Sequence, residues 1–216
     1  MPIVFVHGLS ASSRWWRAVL PLLGGREARL LDLPRFGRRF PPDGVVDWLA
    51  GEIGADAPVV LVGHSMGGLV CASLAAGRPE LVRALVLIAP AGAPELRSLT
   101  AYARGLVRTF LSARPGLMRT ITEDAIRTGP EALLYGALFA TGSSFAGSVS
   151  APTLLVWGAR DRLIPVELAA EWQRAIPQAR LEVIEEAGHV PMVETPSAFA
   201  ERLLDFLDGL DDGAGV

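Results

Sequence analysis

A serine hydroxyl is a weak nucleophile at neutral pH, so a serine that does chemistry needs a base and something to orient that base. The run Val59-Val60-Leu61-Val62-Gly63-His64-Ser65-Met66-Gly67-Gly68 offers such a serine, because an apolar strand enters G-x-S-x-G and leaves as a helix. The pentapeptide alone is a weak signal; its strand-turn-helix setting makes it a strong one. A turn this sharp strains the backbone and pushes Ser65 outward, and the glycines at 63 and 67 leave room where side chains would collide. Three histidines compete to be the base. His7 follows the first strand and reads as a loop-shaping residue. His64 lies inside the elbow, with its side chain expected to point away from the nucleophile. That leaves His189, in Glu186-Ala187-Gly188-His189-Val190-Pro191, just after the last strand. The orienting acid should fall between the two in the chain order Ser, Asp, His, and Asp161 in Gly158-Ala159-Arg160-Asp161-Arg162-Leu163 occupies that place. An isolated Asp between two arginines would ordinarily be a turn residue. Here its position after a strand makes it the partner that fixes the imidazole tautomer. The oxyanion of acyl transfer also needs donors. One is the backbone N–H of Met66; the other comes from His7-Gly8-Leu9-Ser10, where Leu9 is chosen and Ser10 lies one residue on.

These residues need a frame that brings strand ends together. Short runs rich in Val, Ile and Leu recur at Pro2 to Val6, Ala28 to Leu31, Val59 to Val62, Ala84 to Ile88, Thr153 to Trp157 and Leu181 to Ile184. Their continuous apolarity predicts strands buried on both faces. Helical stretches alternate with them, including Met66 to Ala76, Val166 to Ile176 and Pro196 to Leu207. The expectation is a single α/β domain over 1–216 with a mainly parallel sheet of about six strands flanked by helices. From about Ala91 to Ser150 there is no convincing strand. Leu99, Tyr102, Ala103, Leu106, Val107, Phe110 and Leu111 instead follow helical spacing, with Arg104 and Arg108 on another face. A helical cap is expected over 91–129, then a helix near Pro130 to Thr141 returning to the core. Such an insert can cover the carboxyl ends of the strands, where open α/β sheets place ligands. Leu106 and Phe110, with Trp15 and the adjacent Trp16, are candidates to line a substrate pocket; helix-packing core is the competing reading for the cap's apolar residues.

Composition narrows the chemistry. The chain has 216 residues and a formal net charge of -3, with no electrostatic footprint for nucleic acid. All its basic residues are arginine, which excludes a Schiff-base lysine and a Walker A lysine. No H-E-x-x-H or Cys-x-x-Cys occurs, so neither metal nor organic cofactor is expected. The single Cys71 reads as a small buried hydrophobe. No apolar run reaches a membrane span and no leader pattern opens the chain, so a cytoplasmic enzyme is expected. The residues from Gly209 onward are expected to fray.

The pattern as a whole resembles the α/β-hydrolase superfamily, in its branch of small capped serine carboxylesterases. The resemblance rests on His7-Gly8, Asp32-Leu33-Pro34, Gly63 to Gly68, Pro79 to Ile88, Gly158 to Pro165, and Gly188-His189 with Pro191 and Glu194. It implies a nucleophile elbow, an acyl-enzyme mechanism and a helical cap after the strand that follows the elbow helix. Two departures stand out. The family often shows Asp-x-Pro-Gly-x-Gly, whereas Arg35 takes the first of those glycine positions in Asp32-Leu33-Pro34-Arg35-Phe36-Gly37. The chain also begins at the strand bearing His7-Gly8, so the antiparallel strands common at the family's N-terminus are expected to be missing. Serine as nucleophile favours hydrolysis of a small hydrophobic ester or related acyl substrate. Carbon–carbon bond hydrolases and perhydrolases keep the same triad, and a non-enzymatic ligand-binding or signalling protein on this fold is the reading from a different class.

Overall fold

The computed structural model describes residues 1–35, 44–92, 99–112, 115–142, 145 and 147–211. Of these, the side chains of 99, 101, 102, 110, 112, 115, 141, 142 and 211 lie outside the description. In chain order the elements are β1 (Ile3–Val6), β2 (Ala28–Leu31), α1 (Gly44–Ile53), β3 (Val59–His64), α2 (Met66–Gly77) and β4 (Val82–Ile88). Next come α3 (Leu99–Ser112), α4 (Pro115–Thr128), α5 (Pro130–Gly142), β5 (Thr153–Gly158), α6 (Ala169–Ala175), β6 (Arg180–Ile184), α7 (Pro191–Glu194) and α8 (Pro196–Asp211).

The six strands form one parallel sheet in the order β2-β1-β3-β4-β5-β6. Because side chains alternate across a strand, each inner strand feeds two core layers. Val4, Val6, Leu61, Leu87 and Trp157 pack with α1, α2 and α6, while Phe5, Val62, Val86 and Val156 pack with Trp16 and α8. Burial on both faces holds for β1, β3 and β5 along their length. It fails at the edges, where a strand has a single neighbour. β2 is mostly half-buried, and β6 opens with exposed Arg180. The chain leaves β1 toward β2 and then crosses back to β3, so the direction of winding reverses between β1 and β3. That reversal opens a crevice at the strands' carboxyl ends, and the loops there carry Leu9 and Ser65.

Three elements add detail to the sequence reading. Helix α1 is one of the helical stretches between strands but is not singled out by sequence, since Gly44 and Gly51 and the β-branched Val45 and Val46 lower its local propensity; burial of Val45, Leu49 and Ile53 makes it. The stretch after Pro165 begins as a 3-10 turn, Val166–Leu168, before α6. Helix α8 continues past Leu207 to Asp211, with Leu210 buried, and 212–216 lie outside the described residues. Between β4 and β5 three helices stand in place of strands. Pro115 and Pro130 occupy the first positions of α4 and α5, where a missing N–H costs nothing. Helix α5 returns to the core through buried Ala132 and Ala140.

Candidate active site

The elbow is built by backbone geometry. Ser65 has φ 53° and ψ −119°, a region costing a non-glycine residue about 1–3 kcal/mol. The surroundings over-determine it: the Ser65 N–H donates to Ile88 O at 2.9 Å, and Ser65 O accepts from the N–H groups of Gly68 and Ala91, both at 3.0 Å. A Cβ on Gly67 would lie 2.4 Å from His7 O, and one on Gly63 2.7 Å from Gly67 O. Neither position tolerates a side chain, so the strand, turn and helix meet at van der Waals contact around Ser65.

On the neighbouring strand ends, His189 Nδ1 is 2.7 Å from Asp161 Oδ2, with both side chains buried. The other carboxylate oxygen of Asp161 accepts from the N–H groups of Leu163 and Ile164 at 2.8 and 2.9 Å. With its other oxygen held by these backbone N–H groups, Asp161 accepts from the His189 Nδ1–H, which leaves the Nε2 lone pair unengaged by it. The two loops are tied directly, because the Arg160 N–H donates to Ala187 O at 2.9 Å. On the far side of His189, the Gly188 N–H donates to the Glu194 carboxylate.

His64 is placed differently from the sequence expectation. Rather than turning away, it lines the same cavity as Ser65, and its ring lies 4.7 Å from that of His189. Its Nε2–H donates to the His189 carbonyl at 2.9 Å, and Nδ1 has no partner among the described residues. Burial, then the nearby His189, push its pKa well below the ordinary histidine value. It stays a neutral ring that grips the backbone of His189. No sequence signal carries this role, since donor and acceptor are 125 residues apart.

His7 acts on the loop after β1. Its Nδ1–H donates to Gly8 O at 2.7 Å, and its Nε2 accepts from the Leu33 N–H at 2.9 Å. Burial lowers its pKa, against smaller opposing effects from the Gly8 hydrogen bond, Asp32 and Asp124, so the ring keeps this neutral tautomer. In a trans peptide the carbonyl and the following N–H point in opposite directions. By drawing the Gly8 carbonyl toward itself, His7 turns the Leu9 N–H the other way.

Ser65, His64 and His189 open on a cavity of about 330 Å³ that Leu9, Ser10, Trp15 and Leu106 also line. Its remaining walls are mostly apolar and come from α3, α4 and α5, including Leu117, Ile121 and Leu133, and from Leu163 and Val190 on the loops after β5 and β6. Trp15 is held by its Nε1–H, which donates to Asp124 Oδ2 on α4 at 2.6 Å. The side chain of Phe110, like those of Leu99 and Tyr102, lies outside the described residues. Met66 is buried and borders an adjoining pocket of about 300 Å³ with Leu9, Asp32, Arg35 and Arg127. Arg35 is exposed there, while Phe36 and Gly37, the rest of the altered loop motif, fall outside the described residues. Among the described residues there is no group of three His, Cys, Asp or Glu side chains that could hold a metal ion, and no helix long and apolar enough to cross a membrane. Cys71 is fully buried, and burial raises its thiol pKa far out of the reactive range.

The family model described as "Alpha/beta hydrolase family" matches residues 3–202. A pimeloyl-[acyl-carrier protein] methyl ester esterase of Neisseria meningitidis is 30% identical, the alignment covering 99% of this chain and 79% of that protein. A 2-hydroxy-6-oxo-6-(2'-aminophenyl)hexa-2,4-dienoic acid hydrolase of Metapseudomonas resinovorans is 28% identical, covering 95% of this chain and 83% of its own. Among solved structures, a serine hydrolase involved in carbazole degradation superposes with a TM-score of 0.76 at 28% identity, covering 96% of this chain and 91% of that one.

Proposed function

This chain belongs to the alpha/beta hydrolase family, and from that premise we propose that it is a serine esterase whose nucleophile is Ser65, whose general base is His189 and whose orienting acid is Asp161. The observation that carries this reading is the buried 2.7 Å His189–Asp161 hydrogen bond, which opens on the same cavity as the strained elbow serine. In the proposed reaction His189 Nε2 takes the Ser65 proton as Oγ attacks the ester carbonyl, and then returns it to the departing alcohol. Water, activated by the same nitrogen, cleaves the acyl-enzyme. The oxyanion is received by the backbone N–H groups of Met66, at the head of α2, and of Leu9, turned by His7. Asp161 steadies the imidazolium without taking its proton.

The lining of the cavity favours a neutral, apolar ester. Among the described residues no arginine or carboxylate borders it, so a charged acyl group would find no counter-charge there. The relative named as a methyl ester esterase supports a carboxylic ester as the bond cleaved. Segment 91–129 is read as the cap over this cavity, with Leu106 of α3 and Leu117 and Ile121 of α4 in its roof. A second reading, hydrolysis of a carbon–carbon bond, is favoured by the dienoic acid hydrolase among the relatives. The same uncharged walls weigh against it, since a dienoic acid carries a carboxylate.

Labelling with a fluorophosphonate and turnover of p-nitrophenyl butyrate test the proposal. Ser65→Ala should abolish labelling, and both Ser65→Ala and His189→Ala should lower kcat on the order of 10⁴- to 10⁶-fold with the fold retained by circular dichroism. Labelling that persists in Ser65→Ala, or turnover of a 2-hydroxy-6-oxo-dienoate in preference to every ester tried, would sink the esterase reading.

A further inference from the structure

Beside the cavity at Ser65 lies a second apolar space. A groove of about 850 Å³ runs along α3, α4 and the start of α5. Five residues line both spaces, namely Ser10, Leu106, Thr109, Ile121 and Leu133, so cavity and groove adjoin along these residues. Away from the shared residues the walls stay apolar to the surface. Val107, Leu111 and Ile126 line this outer part while being 59%, 78% and 76% exposed. An amphipathic helix ordinarily turns such residues inward, and a contiguous exposed apolar surface marks a place that something covers.

The shared lining decides what that is. A partner protein or a second copy of the chain would gain nothing from a surface that adjoins the Ser65 cavity, whereas a chain esterified at Ser65 needs an apolar space next to it. No charged side chain lines the groove among the described residues, and the inner cavity adds only the histidine rings, so no headgroup or acidic peptide would be matched along the way. The occupant that fits is the substrate's own hydrocarbon.

We propose that the groove between α3 and α4 holds the distal part of an unbranched acyl chain whose carbonyl sits at Ser65. The preferred substrates are then esters of medium- and long-chain aliphatic acids rather than of short ones. This rests on the serine esterase reading above and extends it to a substrate class. Each methylene buried is worth about fourfold in binding, and methylenes beyond the Ser65 cavity contribute only if the groove receives them.

The test compares p-nitrophenyl butyrate with p-nitrophenyl decanoate, both below their critical micelle concentrations, in the wild type and in Leu111→Arg and Ile126→Asp. These two side chains line the outer groove and not the Ser65 cavity. The wild type should favour decanoate by about 10- to 100-fold in kcat/KM, the gain from burying about two or three of the added methylenes. Each variant should lose about tenfold or more of that preference while butyrate turnover stays within about twofold, as expected of changes at exposed positions. Calorimetric titration with 2-undecanone, the uncharged ketone counterpart of a decanoate ester, needs no turnover and should show the same loss of affinity in the variants. If no ester is hydrolysed yet 2-undecanone binding is weakened by both substitutions, the esterase reading falls and the groove assignment stands. A decanoate-ester preference and a 2-undecanone affinity unchanged in both variants would overturn the groove assignment. So would an optimum at butyrate, or a rate that rises only in the presence of micelles or phosphatidylcholine vesicles, which would make the patch an adsorbing surface.

Discussion

At the scale of single residues, the site depends on side chains whose work is done on backbone. His7 touches no reacting atom in the proposed mechanism, but its ring holds the Gly8 carbonyl at 2.7 Å and thereby aims the Leu9 N–H. His7→Phe preserves the ring's bulk and removes both of its hydrogen bonds. Because an oxyanion donor acts mainly in the transition state, this variant should lose about 10- to 100-fold in kcat with little change in KM, and Ser65 should still label with fluorophosphonate. Steady-state kinetics on p-nitrophenyl butyrate checks this, and an unchanged kcat would move the second donor away from Leu9. The residues that sequence reading singles out are those identified by type and by place after a strand: Ser65, Asp161 and His189. His64 was not legible in its actual position. Its neighbour in sequence is Ser65, but its hydrogen-bond partner is His189 O, and only the fold brings β3 beside the loop after β6.

At the scale of elements, the attachment of the helices between β4 and β5 is a polar matter as well as an apolar one. Asp124 on α4 is 2% exposed, and its Oδ2 accepts from Ser12 Oγ, Arg14 Nε and Trp15 Nε1 at 3.1, 3.2 and 2.6 Å. Arg14 continues to Glu123 at 2.8 Å and to the Thr120 carbonyl at 2.9 Å. Two consecutive residues of α4 therefore clamp the 3-10 turn Ser13–Trp16, which carries one wall of the cavity in Trp15. Asp124→Ala would leave the Trp15 N–H and much of the Arg14 guanidinium without their acceptor, at about 1–3 kcal/mol for each buried donor orphaned. Urea denaturation should register that loss. The same variant should raise KM for p-nitrophenyl butyrate, because Trp15 is no longer held. A stability and KM both equal to wild type would mean that α4 is fixed by its apolar contacts alone. Periodicity revealed the helices of this region, since α3 repeats its apolar residues at three and four. Asp124 could not be found that way: its partners lie about 110 residues earlier, and in sequence it is one acid beside another. The edge strands lie where the sequence puts them, but their partial burial was not legible for a related reason, as apolarity marks a strand without telling how many neighbours it will have.

At the scale of the whole molecule, the parallel sheet places two histidines, His7 and His64, where little of either ring meets water, and this ties stability to pH. Burial lowers both pKa values from the ordinary value of about 6.5. In the unfolded chain each takes up a proton near that ordinary value, whereas in the folded chain each remains neutral to lower pH. The unfolded state thus binds more protons over this window, so stability rises with pH there and is lost as pH falls from about 6.5. Each histidine contributes a slope of up to about 1.4 kcal/mol per pH unit, or about 3–5 °C in Tm for a chain of this size. Glu123 is a separate case. Arg119 and Arg14 hold its pKa down to about 2, so its contribution is lost only below its unfolded value of about 4.5. Thermal denaturation followed from pH 7.5 to 5 therefore isolates the histidines. Tm should fall across that interval in the wild type. His64→Gln keeps an N–H that can reach the His189 carbonyl and removes one titrating group, so its Tm should fall about half as steeply. If the two proteins lose Tm in parallel from pH 7.5 to 5, the buried ring of His64 is not a source of the acid sensitivity, which would then rest on His7.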